Sequence, residues 1–159
     1  MAITQAMPNG FKTGLLSCAH NFNTLNRAVV LNTVDEFKIA LYTSSATLDL
    51  STVNYDVATP GEVVGTGYTA GGITLAIITP PTGDTLSGAN AGYINFNNAV
   101  WSGASFTARG ALIYNSSNAD LAVAVLNFGV DKTVSGGGTF TITFPTYATN
   151  TTVAIVQLS

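Results

Sequence analysis

Apolar and polar residues alternate with a period of two along much of the chain. Residues 37–42 (FKIALY) and 139–144 (TFTITF) both follow this alternation, so each predicts a half-buried β-strand with one dry and one wet face. Residues 121–128 (LAVAVLNF) differ because they are apolar on both faces. This pattern favours a central strand that is covered on each side or a strand in a subunit contact.

Further strand-like runs follow one another, with turn residues about every 8–12 positions. Asn97-Asn98, Ser102-Gly103, residues 115–120 and residues 135–138 provide the turns, and Pro80-Pro81 is expected to end the strand before it. The remaining predicted strands are 73–78, 92–96, 100–101, 108–115 and 152–158. Together they predict an all-β protein, a jelly-roll-like β-sandwich of about 8–10 strands with a short N-terminal helix or arm.

The N-terminal region has a helical spacing of apolar residues that the rest of the chain lacks. Asn9 is suited to cap a helix, and Phe11, Leu15, Leu16 and Ala19 share one face at helical spacing. Residues 26–32 predict a short strand or an extended arm. We therefore expect a single domain, with an arm or short helix at 1–36 that reaches a neighbouring subunit and a β-sandwich at 37–159.

Residues 62–79 (EVVGTGYTAGGITLAIIT) combine two strands with a glycine-broken joint. Gly65, Gly67, Gly71 and Gly72 free the backbone to turn or bulge, and Tyr68 is placed to cover it. Residues 65–70 loosely match a GxGxxA dinucleotide motif. Phosphate binding there requires a helix to follow, whereas this sequence predicts a strand, so we interpret the stretch as a structural joint.

The amino-acid composition limits the classes of molecule that we expect this protein to bind. Charged residues make up only 8% of the chain and the formal net charge is −3, against about 25% charged residues in an ordinary soluble protein. Such a neutral surface favours association. The five Lys and Arg residues do not cluster and no apolar run is long enough to span a bilayer, so we expect neither nucleic-acid nor membrane binding. The N-terminus lacks the features of a signal peptide, which predicts synthesis in a reducing cytoplasm.

Candidate chemistry is sparse. Cys18 is the only cysteine and His20 the only histidine, and their spacing separates thiol and imidazole on a helix, so we expect no catalytic pair. The eight carboxylates lie in no supporting motif, and Asp49 and Asp56 resemble turn residues. We predict no enzyme activity, no cofactor and no metal. Five aromatic residues could form a sugar-binding platform, but a role in the core is favoured: Tyr68, Tyr93, Trp101, Phe106 and Tyr114.

Several stretches together resemble a family of small proteins encoded among the structural genes of tailed bacteriophages. The stretches span most of the chain: Phe11-Lys12, Leu15-Leu16, His20-Asn21-Phe22, residues 37–43, residues 62–72 with GTGYTAGG as the most specific piece, Trp101, residues 106–111 and Tyr114. The resemblance breaks at residues 23–36, which are longer than expected between the helix and the first strand.

The resemblance implies a virion component. For a domain of this size, it implies a capsid cement or decoration protein on the capsid exterior that stabilises the shell by self-association, as a dimer or trimer, and by contacts to the major capsid protein. The alternative is a tail, baseplate or fibre-associated protein that helps to recognise the host. That alternative would use the aromatic residues to bind glycans.

Overall fold

A computed structural model describes residues 2–16, 19–22, 35–84, 91–145 and 156–158. This part of the chain contains one short helix and seven strands in two antiparallel sheets, which confirms the predicted all-β class. The elements in chain order are α1 Asn9–Leu16, β1 Phe37–Tyr42, β2 Ile73–Leu75, β3 Ile77–Asp84, β4 Ala91–Phe96, β5 Ala99–Asn115, β6 Leu121–Ile142 and β7 Val156–Leu158.

The larger sheet has the strand order β2-β1-β5-β6 and the smaller one the order β3-β4-β7. Their cores meet where the rings of Phe37 and Phe96 lie 5.6 Å apart between centroids. Phe22 stacks on Phe37 at 4.5 Å. The main apolar core therefore gathers side chains from both sheets and from the N-terminal region.

Helix α1 confirms the prediction for residues 9–16, and it buries Phe11 completely against the core. Gly14 costs helix stability, but a Cβ at this position would lie 2.9 Å from the Nε2 atom of His20. Glycine therefore lets the imidazole pack against the helix. The buried side chains of Ile3 and Phe22 also dock on the β-strands, while residues 23–34, which include the predicted strand at 26–32, lie outside the described residues.

β5 and β6 form a hairpin that is longer than the sequence predicts. The predicted strands 100–101 and 108–115 are parts of the single strand β5, and the predicted strands 121–128 and 139–144 merge into β6, which ends at Ile142. The prediction of turns at 102–103 and 135–138 was wrong. Glycines at positive φ occur there, but the pairing continues with shifted register, so they form bulges inside the strands.

The hairpin also bends. Phe140 pairs with Trp101, and Asn127, beside Phe128, pairs with Gly110. Trp101 and Gly110 are nine residues apart on β5, which corresponds to about 30 Å along a straight strand. The rings of Phe128 and Phe140 on β6 nevertheless lie only 6.3 Å apart between centroids. The register shifts provide the bend, because bulges curve the strand that carries them.

We divide this hairpin into a sealed half (110–115 with 121–127) and an open half (99–108 with 129–142). In the sealed half, residues 122–125 are buried and the outer edge of β6 is covered by backbone bridges from Ala6 to Val125 and from Asn54 to Leu121. This cover explains why LAVAVLNF is apolar on both faces although β6 is the last strand of its sheet. In the open half, no described residue bridges the outer edge of β6.

Two further strand predictions need correction or limits. Pro80-Pro81 do not end a strand, since β3 runs through them to Asp84. Proline is tolerated there because β3 is an edge strand and its register shifts around these residues. At the C-terminus, Val156–Leu158 forms β7 within the predicted strand 152–158, and residues 152–155 lie outside the described part.

Candidate functional site

The glycine-rich segment 61–72 lies across β1 and β5. Val63 donates its backbone N–H to Leu41 O at 2.9 Å, and Ser105 donates to Thr66 O at 2.9 Å. A Cβ on Gly67 would lie 2.8 Å from Gly103 O, so the two backbones meet as closely as glycine allows. This confirms the interpretation of the segment as a joint. Strand β2 follows it directly. This confirms the predicted strand, whereas phosphate binding at the glycines requires a helix.

The carboxylate of Glu62 holds this joint together. Its Oε1 atom accepts hydrogen bonds from Tyr68 Oη at 2.8 Å and from Gly71 N at 2.7 Å, and its Oε2 atom accepts one from Tyr55 Oη at 3.0 Å. Tyr68 Oη in turn accepts the backbone N–H of Leu41 at 2.9 Å. Charge-assisted hydrogen bonds of this kind are stronger than neutral ones, so one side chain fixes both ends of the glycine segment.

A second tyrosine pair, Tyr55 and Tyr114, contacts the same joint at Gly71. Tyr114 Oη donates to Gly71 O at 2.7 Å, and the rings of Tyr55 and Tyr114 stack with centroids 4.6 Å apart. We call Glu62, Tyr55, Tyr68, Tyr114 and Gly71 the tyrosine latch. It joins the 49–57 loop, the glycine segment and strands β1 and β5.

The tyrosines of the latch act as hydrogen-bond donors over the whole physiological pH range. Burial, reinforced by the hydrogen bond to Glu62, raises the pKa of Tyr55 to about 12. Burial likewise raises the pKa of Tyr68 and of Tyr114 far above the ordinary value of a phenol. A phenol that keeps its proton cannot serve as a base or nucleophile near neutral pH. The arrangement therefore suits a fixed joint.

His20 lies in a second polar cluster at the end of the sealed half. Asn115 is fully buried, and its Nδ2 atom lies 3.2 Å from His20 Nδ1 and donates to Asp35 Oδ2 at 2.7 Å. The same carboxylate oxygen accepts the backbone N–H of Asn21 at 2.6 Å. Burial lowers the pKa of the His20 imidazole, and the Asp35 carboxylate partly opposes that shift. His20 is therefore neutral near pH 7, with Nδ1 as an acceptor.

This cluster ties the β5–β6 turn to the N-terminal region. Asn118 Nδ2 donates to Ala19 O at 2.7 Å, and Ser117 Oγ accepts the backbone N–H of Glu36 at 2.8 Å. The ring of His20 packs 4.9 Å from that of Phe11. The structure thus places His20 in a packed core cluster, and Cys18, the other member of the weighed pair, lies outside the described residues.

The remaining candidates occupy structural positions. Asp49 Oδ1 accepts the backbone N–H of Ser51 at 2.7 Å, and Asp56 Oδ1 accepts that of Ala58 at 2.8 Å, which confirms both as turn residues. Asp131 pairs with Arg109 at 3.6 Å on the surface. Among the described residues, no group of three His, Cys, Asp or Glu side chains could hold a metal ion.

Four of the five aromatic residues considered for a sugar platform have described side chains, and these four pack in or against the core. Trp101, Phe106 and Tyr114 are buried, and Tyr68 is partly buried against the core. The side chain of Tyr93 is outside the described part. The placement of the other four agrees with the interpretation of these residues as core.

Sequence reasoning missed two features of this region. The first is the Glu62 carboxylate, whose partners Tyr55, Tyr68 and Gly71 follow no recognised spacing. The second is a groove beside the edge of β6, with a volume of about 380 Å³, lined by Phe128, Lys132, Phe140, Thr141 and Ile142. The alternation in TFTITF predicts apolar side chains on one face, but the groove arises only because the hairpin bends.

No protein-family model, no curated protein and no solved structure matches this chain. In the described part of the chain, no helix is long and apolar enough to cross a membrane.

Proposed function

We propose that this protein is a structural component of a bacteriophage virion, a cement or decoration protein on the capsid exterior. It stabilises the shell by associating with itself and by contacting the major capsid protein. The family resemblance supplies this assignment. The observation that supports it best is that the carboxylates of Glu62 and Asp35 are hydrogen-bonded into the fold, whereas the open features are an apolar groove and exposed aliphatic side chains.

The distribution of polar groups favours binding over catalysis. Each oxygen of the Glu62 carboxylate accepts at least one hydrogen bond from the fold. His20 is buried beneath Phe11, with its Nδ1 atom against Asn115. Because a general base has to reach a substrate, these fixed groups suit a rigid scaffold. We therefore propose a non-enzymatic protein with no cofactor.

At the level of fold, we propose a jelly-roll-like sandwich. Two antiparallel sheets and the contact between Phe37 and Phe96 at their junction support this arrangement. A sandwich presents loops and strand edges outward on a fixed framework. Neutral contacts can then form without reorganising the fold.

Stabilisation follows from mass action. A protein that binds the assembled shell and not its separated subunits lowers the free energy of the assembled state alone. Particles that lack this protein should release DNA at a lower temperature and resist osmotic shock less well than complete particles. Equal resistance of both kinds of particle would contradict the proposed function.

The copy number per virion separates shell from tail. We expect hundreds of copies, measured by quantitative mass spectrometry of purified particles against the major capsid protein. A dozen copies or fewer would instead indicate the tail, baseplate or fibre alternative. Adsorption defects and binding to cell-surface glycans would support that alternative.

A further inference from the structure

The groove beside β6 is an apolar surface with one cationic wall. Phe128, Phe140 and Ile142 supply its apolar lining, and Lys132 lies among them. Its volume of about 380 Å³ is at the lower end of the range for sites that bind small molecules or side chains. The strand that carries it has an outer edge that no described residue bridges in this half.

The charge of Lys132 is not balanced within the described structure. Lys38 pairs with Glu36 and Arg109 with Asp131, but no described carboxylate lies within ion-pair distance of Lys132. The groove therefore has an uncompensated positive charge in a chain whose net charge is −3. An occupant that combines aliphatic side chains with carboxylates would complement it.

The 49–57 loop of the same chain has this chemistry. Leu50, Val53 and Val57 expose 49%, 63% and 75% of their surface, and the carboxylates of Asp49 and Asp56 lie in the same loop. Exposed apolar side chains gathered in one loop are typical of a contact surface.

The loop is also held in one shape. Ser51 donates both its hydroxyl and its backbone N–H to Asp49 Oδ1, and these bonds lower the pKa of Asp49. Tyr55 N donates to Asp120 O at 2.8 Å and Ala122 N donates to Val53 O at 2.9 Å. A rigid loop loses little conformational entropy when it binds.

We propose that the 49–57 loop of one copy docks in the β6 groove of another copy. The loop cannot reach the groove of its own chain, because it is fixed at Leu121 and Ala122, about 20 Å of strand before Phe128. The contact joins two different surfaces of the same chain. Made reciprocally, it gives a two-fold dimer; made head to tail, it gives a ring such as a trimer when the rotation between copies closes.

This proposal rests on the self-association in the proposed function and identifies the surfaces that carry it. Self-association and shell stabilisation are measured separately. An oligomer formed through these surfaces, together with particles that tolerate heat equally well without the protein, would overturn the cement function and leave the contact intact. If particles that lack the protein are heat-sensitive but the purified protein is monomeric, the cement function stands and the contact is overturned.

The test uses two full-length variants that each damage one side of the contact. Val57→Ser removes an exposed apolar side chain from the loop, and Lys132→Glu reverses the charge of the groove. Wild type should have a mass of at least twice 16.3 kDa in multi-angle light scattering. Each variant alone should associate at least about tenfold more weakly, as expected when a buried valine is lost or when a charge in an interface is repelled.

Mixing the two variants tests the pairing of loop and groove. The Val57→Ser protein keeps an intact groove and the Lys132→Glu protein an intact loop, so an equal mixture should form one-to-one dimers at twice 16.3 kDa. Val64→Ser is the matched control for the loop, since Val64 is 94% exposed outside it. Lys12→Glu on α1 is the control for the groove. Neither control should change the mass.

Three results would overturn the proposal. The first is a wild type that stays monomeric at the highest attainable concentration, which would assign the groove to a different partner. The second is a loss of association in the two controls equal to that in the variants. The third is a mixture that gives no dimer although both variants retain the wild-type circular dichroism spectrum and melting temperature.

Discussion

The two halves of the β5–β6 hairpin differ in how the outer edge of β6 is covered. In the sealed half, Ala6 and Asn54 cover the outer edge of β6 and the side chains of residues 122–125 are buried. In the open half, the edge is not bridged by any described residue, and residues 129–133 are exposed. Stability is therefore concentrated at one end, and the surface available for binding at the other.

Glycine has a different role in the glycine-rich segment 61–72 and in the open half of the hairpin. Gly67 and Gly136 both have positive φ, at 78° and 65°. A Cβ on Gly67 would press against the backbone of Gly103 and Ala104, whereas a Cβ on Gly136 would meet nothing within 4 Å. The first glycine is needed for conformation and for close packing, and the second for conformation alone.

The largest predicted effect follows from this difference. Gly67→Ala should lower the free energy of unfolding by about 2–5 kcal/mol, since left-handed strain of about 1–2 kcal/mol adds to the cost of overpacking. Gly136→Ala, with the strain alone, should cost about 1–2 kcal/mol. Urea denaturation of the two variants measures both values. Equal losses would show that the joint at Gly67 is not tightly packed.

The tyrosine latch predicts the next effect. Glu62→Gln keeps the size of the side chain but removes the charge that Tyr55, Tyr68 and Gly71 share, so we expect a loss of about 1–3 kcal/mol. Glu36→Gln is the matched control. Glu36 is half-exposed and pairs with Lys38 at 3.5 Å, so its loss should be within about 0.5 kcal/mol.

Thermal unfolding at pH 7.5 compares these two variants directly. If Glu36→Gln destabilises the protein as much as Glu62→Gln, the latch contributes nothing beyond an ordinary surface carboxylate. The sealed half would then depend on apolar packing alone.

Much of the sealed half, and of β1 and the glycine-rich segment beside it, could be predicted from the sequence. The alternation in FKIALY identified β1, and the two apolar faces of LAVAVLNF indicated a covered strand. The joint at 62–72 was recognised because its four glycines stand where an extended chain has to turn. These features are local, so the order of residue types reveals them.

The open half and the latch could not be predicted in the same way. Gly103 and Gly136 resemble turn residues, yet they form bulges inside long strands, because pairing with the neighbouring strand outweighs the local preference for a turn. Glu62 finds its partners through the fold, and no periodic pattern marks them. The sequence pattern places Asn115 in a turn, whereas in the structure its side chain is the buried centre of the His20 cluster.

The smallest predicted effect concerns pH. Burial lowers the pKa of His20 below its ordinary value of 6.5, so the unfolded chain binds a proton more readily than the folded one. The resulting stability is present above pH 6.5 and is lost as the pH falls from 6.5 towards the lowered pKa. We expect the wild type to melt at a lower temperature at pH 5.5 than at pH 7.5.

His20→Gln should reduce that difference, because glutamine does not titrate. Its melting temperature at pH 7.5 is expected to be lower than that of the wild type, since the ring contacts with Phe11 and Phe22 are lost. An unchanged difference between the two pH values in the variant would assign the pH dependence to other groups.

Hydrogen exchange along β6 tests the division between the two halves most directly. It should be measured by mass spectrometry on the wild-type oligomer and on the Val57→Ser protein, at a concentration where we expect the variant to be monomeric. Amides of residues 122–126 should exchange slowly in both, because this half is sealed by the chain itself. Amides of residues 129–142 that face away from β5 should exchange slowly only in the oligomer. Equal exchange of residues 129–142 in both proteins, or protection confined to another surface, would contradict the account.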